Sequence, residues 1–241
     1  MDCRLFNVGN THVQIADLCG GKIQPVAKVP TSEFHLEPFA VPEMAAASVV
    51  PVFEELLQRA GALIVSPNFV RGPVDLSLMK KPETLGADRL ANAASLIFSG
   101  PLPALCVDFG TAINMEFVDS ERRMRGGAIL PGRQLLRRAL HDYTAKLPLT
   151  EIRSDIPDFP GNNTVDAIDI GVDAGVLGAV REILDRMERQ FAGTPVRRVA
   201  CGGDAPFFLR ELAGFVYADD TFTLRGIAGI WEQQQKKSSP A

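Results

Sequence analysis

Two stretches, "LFNVGNTHVQIADL" at 5–18 and "LCVDFGTAINMEFVD" at 105–119, share one plan: an apolar strand-like run, a short turn carrying Gly and Thr, and a second apolar run. Aligned at the turn, Asn7 falls on Asp108 and Gly9 on Gly110, with Thr11 beside Thr111 after a one-residue difference. Self-similarity at about half the chain length marks two related lobes, because a solenoid needs a shorter period repeated several times. The segment "SGPLPA" at 99–104 interrupts the pattern between them. The expected division is an N-terminal lobe at 1–103, a C-terminal lobe at 104–232, and a flexible tail at 233–241 where apolar periodicity is lost.

Other strand-like runs occur at "ALIVS" and "RRVACGG". Helical patterns occur at "VPVFEELLQRAG", "GADRLANAASLIFSG", "RQLLRRALHDYTAKL", "TVDAIDIGVDAGVLGAVREILDRMERQF" and "DAPFFLRELAG". Strands and helices mixed along the whole chain argue for α/β lobes rather than a sandwich or a bundle. With a formal net charge of −4, there is no general electrostatic attraction for a polyanion, so nucleic acid and anionic membrane are disfavoured as partners. Any phosphate site must be local. No window reaches the ~18 apolar residues of a membrane span, and no basic, then apolar leader is present, so a cytoplasmic protein is expected. The four cysteines, Cys3, Cys19, Cys106 and Cys201, form no CxxC pair and read as reduced, mostly buried thiols.

A Gly-containing turn between strands can aim backbone N–H groups into one concavity, with Gly9 and Gly110 free to take conformations closed to residues with a Cβ. Such a nest binds phosphate oxygens. Asn10, Thr11 and Thr111 add short side-chain donors at the same edge. Either turn alone reads equally as an ordinary hairpin; the matched pair favours phosphate. Gly202 and Gly203, closing "RRVACGG" before a helix, would let a flat ligand such as adenine approach the backbone, or would simply form a strand-to-helix turn. In "LGADRLANA", Asp88 and Arg89 fall in the first turn of a helix. There a carboxylate stays ionised and a guanidinium can clamp an anion, and beside a phosphate cleft Asp88 becomes a candidate general base for a hydroxyl.

The motifs "NVGNTH", "LGADRLANA", "VDFGTA", "RGGAILPG", "TAKLPL", "GNNTVDAIDIG" and "VACGGD", in that order over nearly the whole chain, resemble those of the type III pantothenate kinases, which belong to the superfamily of acetate and sugar kinases, Hsp70 and actin. The resemblance implies two ribonuclease H-like lobes with a nucleotide cleft between them. It implies that Gly9, Asn10 and Thr11, flanked by Asn7, Val8 and His12, form a first ATP phosphate loop, that Gly110 and Thr111 form a second, and that Gly202 and Gly203 meet the adenosine. Asp88 is then the proton acceptor from the pantothenate primary hydroxyl, with Gly86, Ala87 and Arg89 around the substrate. Asp108 resembles the family's monovalent-cation ligand, and Thr164 a substrate contact supplied near a subunit interface. Mg²⁺ with ATP, potassium or ammonium, and a homodimer are inherited expectations. Phosphoryl transfer suits this inventory, because it asks for positioning and charge neutralisation rather than covalent work by the protein.

The sequence departs from the family in three places. Asn7 stands where the first loop ordinarily carries Asp; it keeps a carbonyl oxygen but brings no charge to a metal. Ile113 and Asn114 stand where threonines commonly follow the second loop. "KKPETLGADR" lacks the aromatic that some members place before the substrate motif. Two functions are therefore compatible with the sequence: a pantothenate kinase, and a kinase-fold protein of little activity that works by binding.

Overall fold

In the computed structural model, which describes residues 1–68, 72–191 and 193–238, each echoing stretch folds as an antiparallel hairpin that seeds a five-stranded sheet. The first sheet comprises β1 (Cys3–Val8), β2 (His12–Cys19), β3 (Lys22–Pro30), β4 (Met44–Ser48) and β5 (Leu63–Ile64), in the order β3-β2-β1-β4-β5. The second comprises β6 (Ala104–Phe109), β7 (Ala112–Val118), β8 (Met124–Pro131), β9 (Arg197–Cys201) and β10 (Phe215–Tyr217), in the order β10-β9-β6-β7-β8. In both, the first three strands form an antiparallel meander and the last two add in parallel to the first. This repeated order is the ribonuclease H-like arrangement the resemblance implies.

Among the described residues six α-helices complete the layers: α1 (Pro51–Arg59), α2 (Ala87–Phe98), α3 (Arg133–Asp142), α4 (Thr164–Arg189), α5 (Ala205–Phe208) and α6 (Phe222–Ser238). Strand alternation sends Cys3 and Leu5 of β1 and Ala104 and Cys106 of β6 into one shared core with α2 and α6. Those two helices therefore lie between the sheets. The opposite face of the first sheet packs Phe6 and Val8 with Leu57 of α1, and that of the second packs Leu105, Val107 and Phe109 with α4 and α5. Helices α2 and α6 meet closely because their contact is made of small residues: a Cβ on Gly226 would strike the Ala91 carbonyl. Ser95 Oγ donates to Phe222 O at 2.6 Å and Thr223 Oγ1 donates to Asn92 Oδ1 at 2.8 Å across the same seam.

Several elements differ from the sequence expectation. "MAAAS", which is among neither the strand-like nor the helical runs above, is the fully buried strand β4 despite three alanines of high helix propensity. Helix α3 stops at Asp142 rather than running through "YTAKL", and Thr144 Oγ1 turns back to donate to Leu140 O. The pattern in "DAPFFLRELAG" yields only the four-residue α5. Helix α6 continues to Ser238, so 233–238 are helical where a tail is expected; Ile227, Ala228 and Ile230 anchor the helix in the shared core and the Glu, Gln and Lys beyond them are good helix formers. No helix among the described residues is long and apolar enough to cross a membrane.

Candidate active site

The two turns meet. Thr11 and Thr111, one from each lobe, place their hydroxyls 2.8 Å apart across the cleft. Asn10, Thr11 and His12 are exposed at this mouth, whereas the Val8 side chain is buried and can offer only backbone. The glycines act differently from the sequence expectation. Neither Gly9 nor Gly110 has a positive φ, and their N–H groups are spent within the turns, Gly9 donating to His12 O at 3.0 Å and Gly110 to Ala112 O at 3.2 Å. Tight closure is the reason for glycine: a Cβ at either position would lie 3.3 Å from that same accepting carbonyl. The donors left for an anion are thus the residues after the glycines. Thr31 Oγ1, which the sequence reading missed, secures the first turn by donating to Gly9 O at 2.7 Å.

Asn7 lies on the face of β1 that carries Cys3 and Leu5, toward the cleft. Its Nδ2 donates to Gln14 Oε1 at 3.0 Å, and Gln14 Nε2 donates to Asp220 O at 3.3 Å. The amide is therefore held by a bridge to the segment leading into α6, leaving Oδ1 for a ligand. On the facing sheet Asp108 lies in register with Asn114 and Cys201. Asn114, one of the departures, is thus a cleft residue, while Ile113 turns into the core behind.

Asp88 and Arg89 open α2, whose N-terminus points at this site. Gly86 precedes the helix because a Cβ there would come within 2.6 Å of Asp88 Oδ1. Oδ1 in turn accepts from Arg89 N at 2.8 Å. Ala87 is packed in the shared core. Burial raises the Asp88 carboxyl above its ordinary value, opposed by the Arg89 N–H and guanidinium. Asp108 is pushed up to about 6 by burial and by Asp88, with Asn92 Nδ2 donating to its Oδ2 at 3.4 Å. A third acid, Glu116 on β7, is wholly buried and pushed up to about 8 by burial against the opposing pull of Arg89. Arg89 Nε donates to Glu116 Oε1 at 2.8 Å, and Glu116 Oε2 has no hydrogen-bond partner among the described residues. Asp88 and Glu116 face the Arg89 guanidinium and Asp108 lies beside Asp88, so burial and mutual repulsion raise the proton affinity of all three, as suits a base. Glu116 was detectable as an acid between apolar neighbours in the strand "INMEFV".

Gly202 and Gly203 separate in role. Gly202 has φ +89°, and a Cβ there would strike Asp108 Oδ1 and lie 2.6 Å from Phe109 O. It lets β9 close against the second turn. A Cβ on Gly203 would meet nothing within 4 Å, so this residue borders open space that a flat ligand can occupy. Thr164 is exposed at the start of α4, capped by Asn163 Oδ1 accepting from Asp166 N at 2.9 Å. Because α4 packs on the face of the second sheet opposite α2, the fold does not bring Thr164 to Asp88 and Arg89 within one chain.

Comparison with known proteins identifies the family. The sequence model of the type III pantothenate kinase family matches residues 5–186. A protein of Rhodospirillum rubrum named type III pantothenate kinase is 37% identical over 177 residues, 70% of this chain and 67% of its own length. One of the same name from Geobacillus thermodenitrificans is 35% identical over 202 residues, 80% of this chain and 76% of its own. Among solved structures, a conserved putative Baf family transcriptional activator from Campylobacter jejuni superposes with a TM-score of 0.68 at 20% identity, over 97% of this chain and 99% of that one, a likeness of fold.

Proposed function

The chain belongs to the type III pantothenate kinase family, and on that premise we propose that it transfers a phosphoryl group from ATP to the primary hydroxyl of pantothenate, forming 4′-phosphopantothenate at the start of coenzyme A synthesis. What supports this most is the convergence of the Thr11 and Thr111 hydroxyls at 2.8 Å, together with a half-buried Asp88 at a helix N-terminus that acts electrostatically on Asp108 of the second hairpin. Hydroxyls and free N–H groups of the two turns hold the phosphates, and the open side of Gly203 admits the adenine. Asp88 Oδ1 is occupied by the Arg89 N–H, so Oδ2 takes the hydroxyl proton, helped by the raised proton affinity of the carboxyl.

The donor set also fits cations. Asp108 is a half-buried carboxyl with one long hydrogen bond, from Asn92, and sits beside Asp88, which suits potassium or ammonium. Mg²⁺ accompanying ATP would find the neutral Asn7 Oδ1 rather than a carboxylate, so the triphosphate itself would supply most of its negative ligands. Such ions contribute positive charge that offsets the phosphates; Asp88 and Arg89 position the acceptor and move its proton. Placement of Thr164 on the far side of the sheet supports completion of the site by a second copy, and exposed Leu135, Tyr143, Leu149, Phe159 and Val165 on the neighbouring elements offer apolar surface for it. Function in the cytoplasm as a homodimer, without nucleic acid or membrane, belongs to the same proposal. Relatives named as kinases and an assembled acid cluster leave the non-catalytic alternative without support.

A coupled assay with ATP, Mg²⁺, potassium and pantothenate tests this. Turnover that Asp88→Asn abolishes is expected. Equal rates on a panel of sugars, or no turnover by the intact protein, would refute the assignment.

A further inference from the structure

We propose that Glu116 is the positioning residue for Arg89, holding its guanidinium in the orientation that receives the carboxylate of the acceptor; this rests on the kinase reading above. Across the second sheet, Val199, Cys106, Glu116 and Gly127 form one rung. Glu116 is the acid in a row that is otherwise small or apolar. It lies fully buried on the cleft side and grips Arg89 through Nε at 2.8 Å, while Met115 O accepts from Nη2 at 3.4 Å. Gly127 lies so close to β7 that a Cβ there would strike the Met115 carbonyl, and the same Cβ would lie 3.0 Å from Nη2, so the bare backbone also leaves room beside the guanidinium. With Nε and Nη2 engaged, Nη1 has no hydrogen bond among the described residues and is the nitrogen left for an anion.

For stability alone this arrangement is poor. A buried carboxylate with one oxygen unpartnered bears a desolvation cost, and apolar side chains of similar volume commonly replace buried ion pairs without loss. Asp88 and Asp108 add repulsion to the same acid. What Glu116 supplies is direction. A guanidinium on a long side chain, tied by a charge-assisted bond at Nε, presents its remaining edge in one geometry. Recognition of a small carboxylate beside a reacting hydroxyl depends on that geometry, because misplacement by about 1 Å costs on the order of a hundredfold.

The test compares the intact protein with Glu116→Gln, which keeps volume and an acceptor, and with Glu116→Ala, using pantothenate and pantothenol, whose alcohol replaces the carboxylate. The KM for pantothenate should rise about tenfold in Glu116→Gln and about a hundredfold in Glu116→Ala, with kcat and the KM for ATP within about threefold. The KM for pantothenol should be common to all three within about twofold. An unchanged or lowered KM for pantothenate, or an equal loss on both acceptors, would overturn the proposal. Glu116→Asp serves as the substitute if the alanine variant does not fold. Independently of any substrate, the Arg89 Nε–H resonance, assigned by its loss in Arg89→Lys, should be protected from solvent exchange in the intact protein and unprotected in Glu116→Gln. Equal exchange in both would refute the pairing even if pantothenate is phosphorylated. If pantothenate is not a substrate, that outcome counts against the kinase reading, and the resonance alone decides the role of Glu116.

Discussion

Replacing Gly202 and Gly203 one at a time by alanine separates two reasons for a glycine that stand side by side. At Gly202, φ is +89° and the added methyl would meet Asp108 Oδ1 and, at 2.6 and 2.7 Å, the carbonyl oxygen and carbon of Phe109. The left-handed backbone costs alanine about 1–2 kcal/mol. Forcing a methyl into backbone costs about 1–3 kcal/mol more. Together Gly202→Ala should lose roughly 3 kcal/mol. At a urea slope of about 2 kcal/mol per molar, the unfolding midpoint would fall by about 1.5 M with the slope unchanged. Gly203→Ala meets nothing within 4 Å and should shift the midpoint by less than about 0.3 M, the range of an ordinary surface substitution. If Gly203 borders the adenine, this second variant should raise the KM for ATP despite its normal stability. Urea denaturation followed by far-UV circular dichroism, with ATP kinetics alongside, reads both effects. A Gly202→Ala protein within about 0.5 kcal/mol of the parent would refute the packing argument.

Acidity provides a further expectation. Half-buried Asp108 and buried Glu116 have carboxyls pushed up from 3.8 to about 6 and from 4.5 to about 8. Their contributions to stability are therefore whole below the ordinary values and lost as pH rises through about 6 and about 8, so the unfolding midpoint should decline from about pH 4 to about pH 8, and Asp108→Asn should make the decline shallower below pH 6, where Glu116 alone then contributes. Asn7→Asp should lower the Mg²⁺ concentration needed for half-maximal rate and raise kcat/KM by up to about a hundredfold, by analogy with a preorganised charge; an unchanged Mg²⁺ profile would show that the amide is no handicap. Arg137, fully buried and bonded to Asp173 at 2.8 Å, Asp169 at 3.0 Å and Thr150 at 3.1 Å, holds α3 to α4. Arg137→Met should lose about 3 kcal/mol, measured by denaturation, the low end for a broken buried pair because Asp173 keeps Arg133 at 3.2 Å and Asp169 keeps Arg153 at 3.4 Å.

Sequence by itself determined the repeated hairpin, the α/β class, the position of Asp88 and Arg89 at a helix start and the family, because these depend on local periodicity, short turns and contiguous motifs. Tertiary structure alone decided the rest. "MAAAS" is a strand because β1 and β5 pair with it and the shared core covers it, against the helix propensity of its alanines. The two turn threonines, a hundred residues apart in sequence, become partners because the sheets close on one helix layer. Glycine at 9 and 110 answers to a carbonyl across its own turn, whereas glycine at 202 answers to Asp108 and Phe109 on the neighbouring strand, a distinction no local pattern carries. Glu116 reads in sequence as one acid among apolar neighbours. Its pairing with Arg89 exists because strand alternation turns it to the cleft side, where the guanidinium also reaches the Met115 carbonyl beside the bare backbone of Gly127.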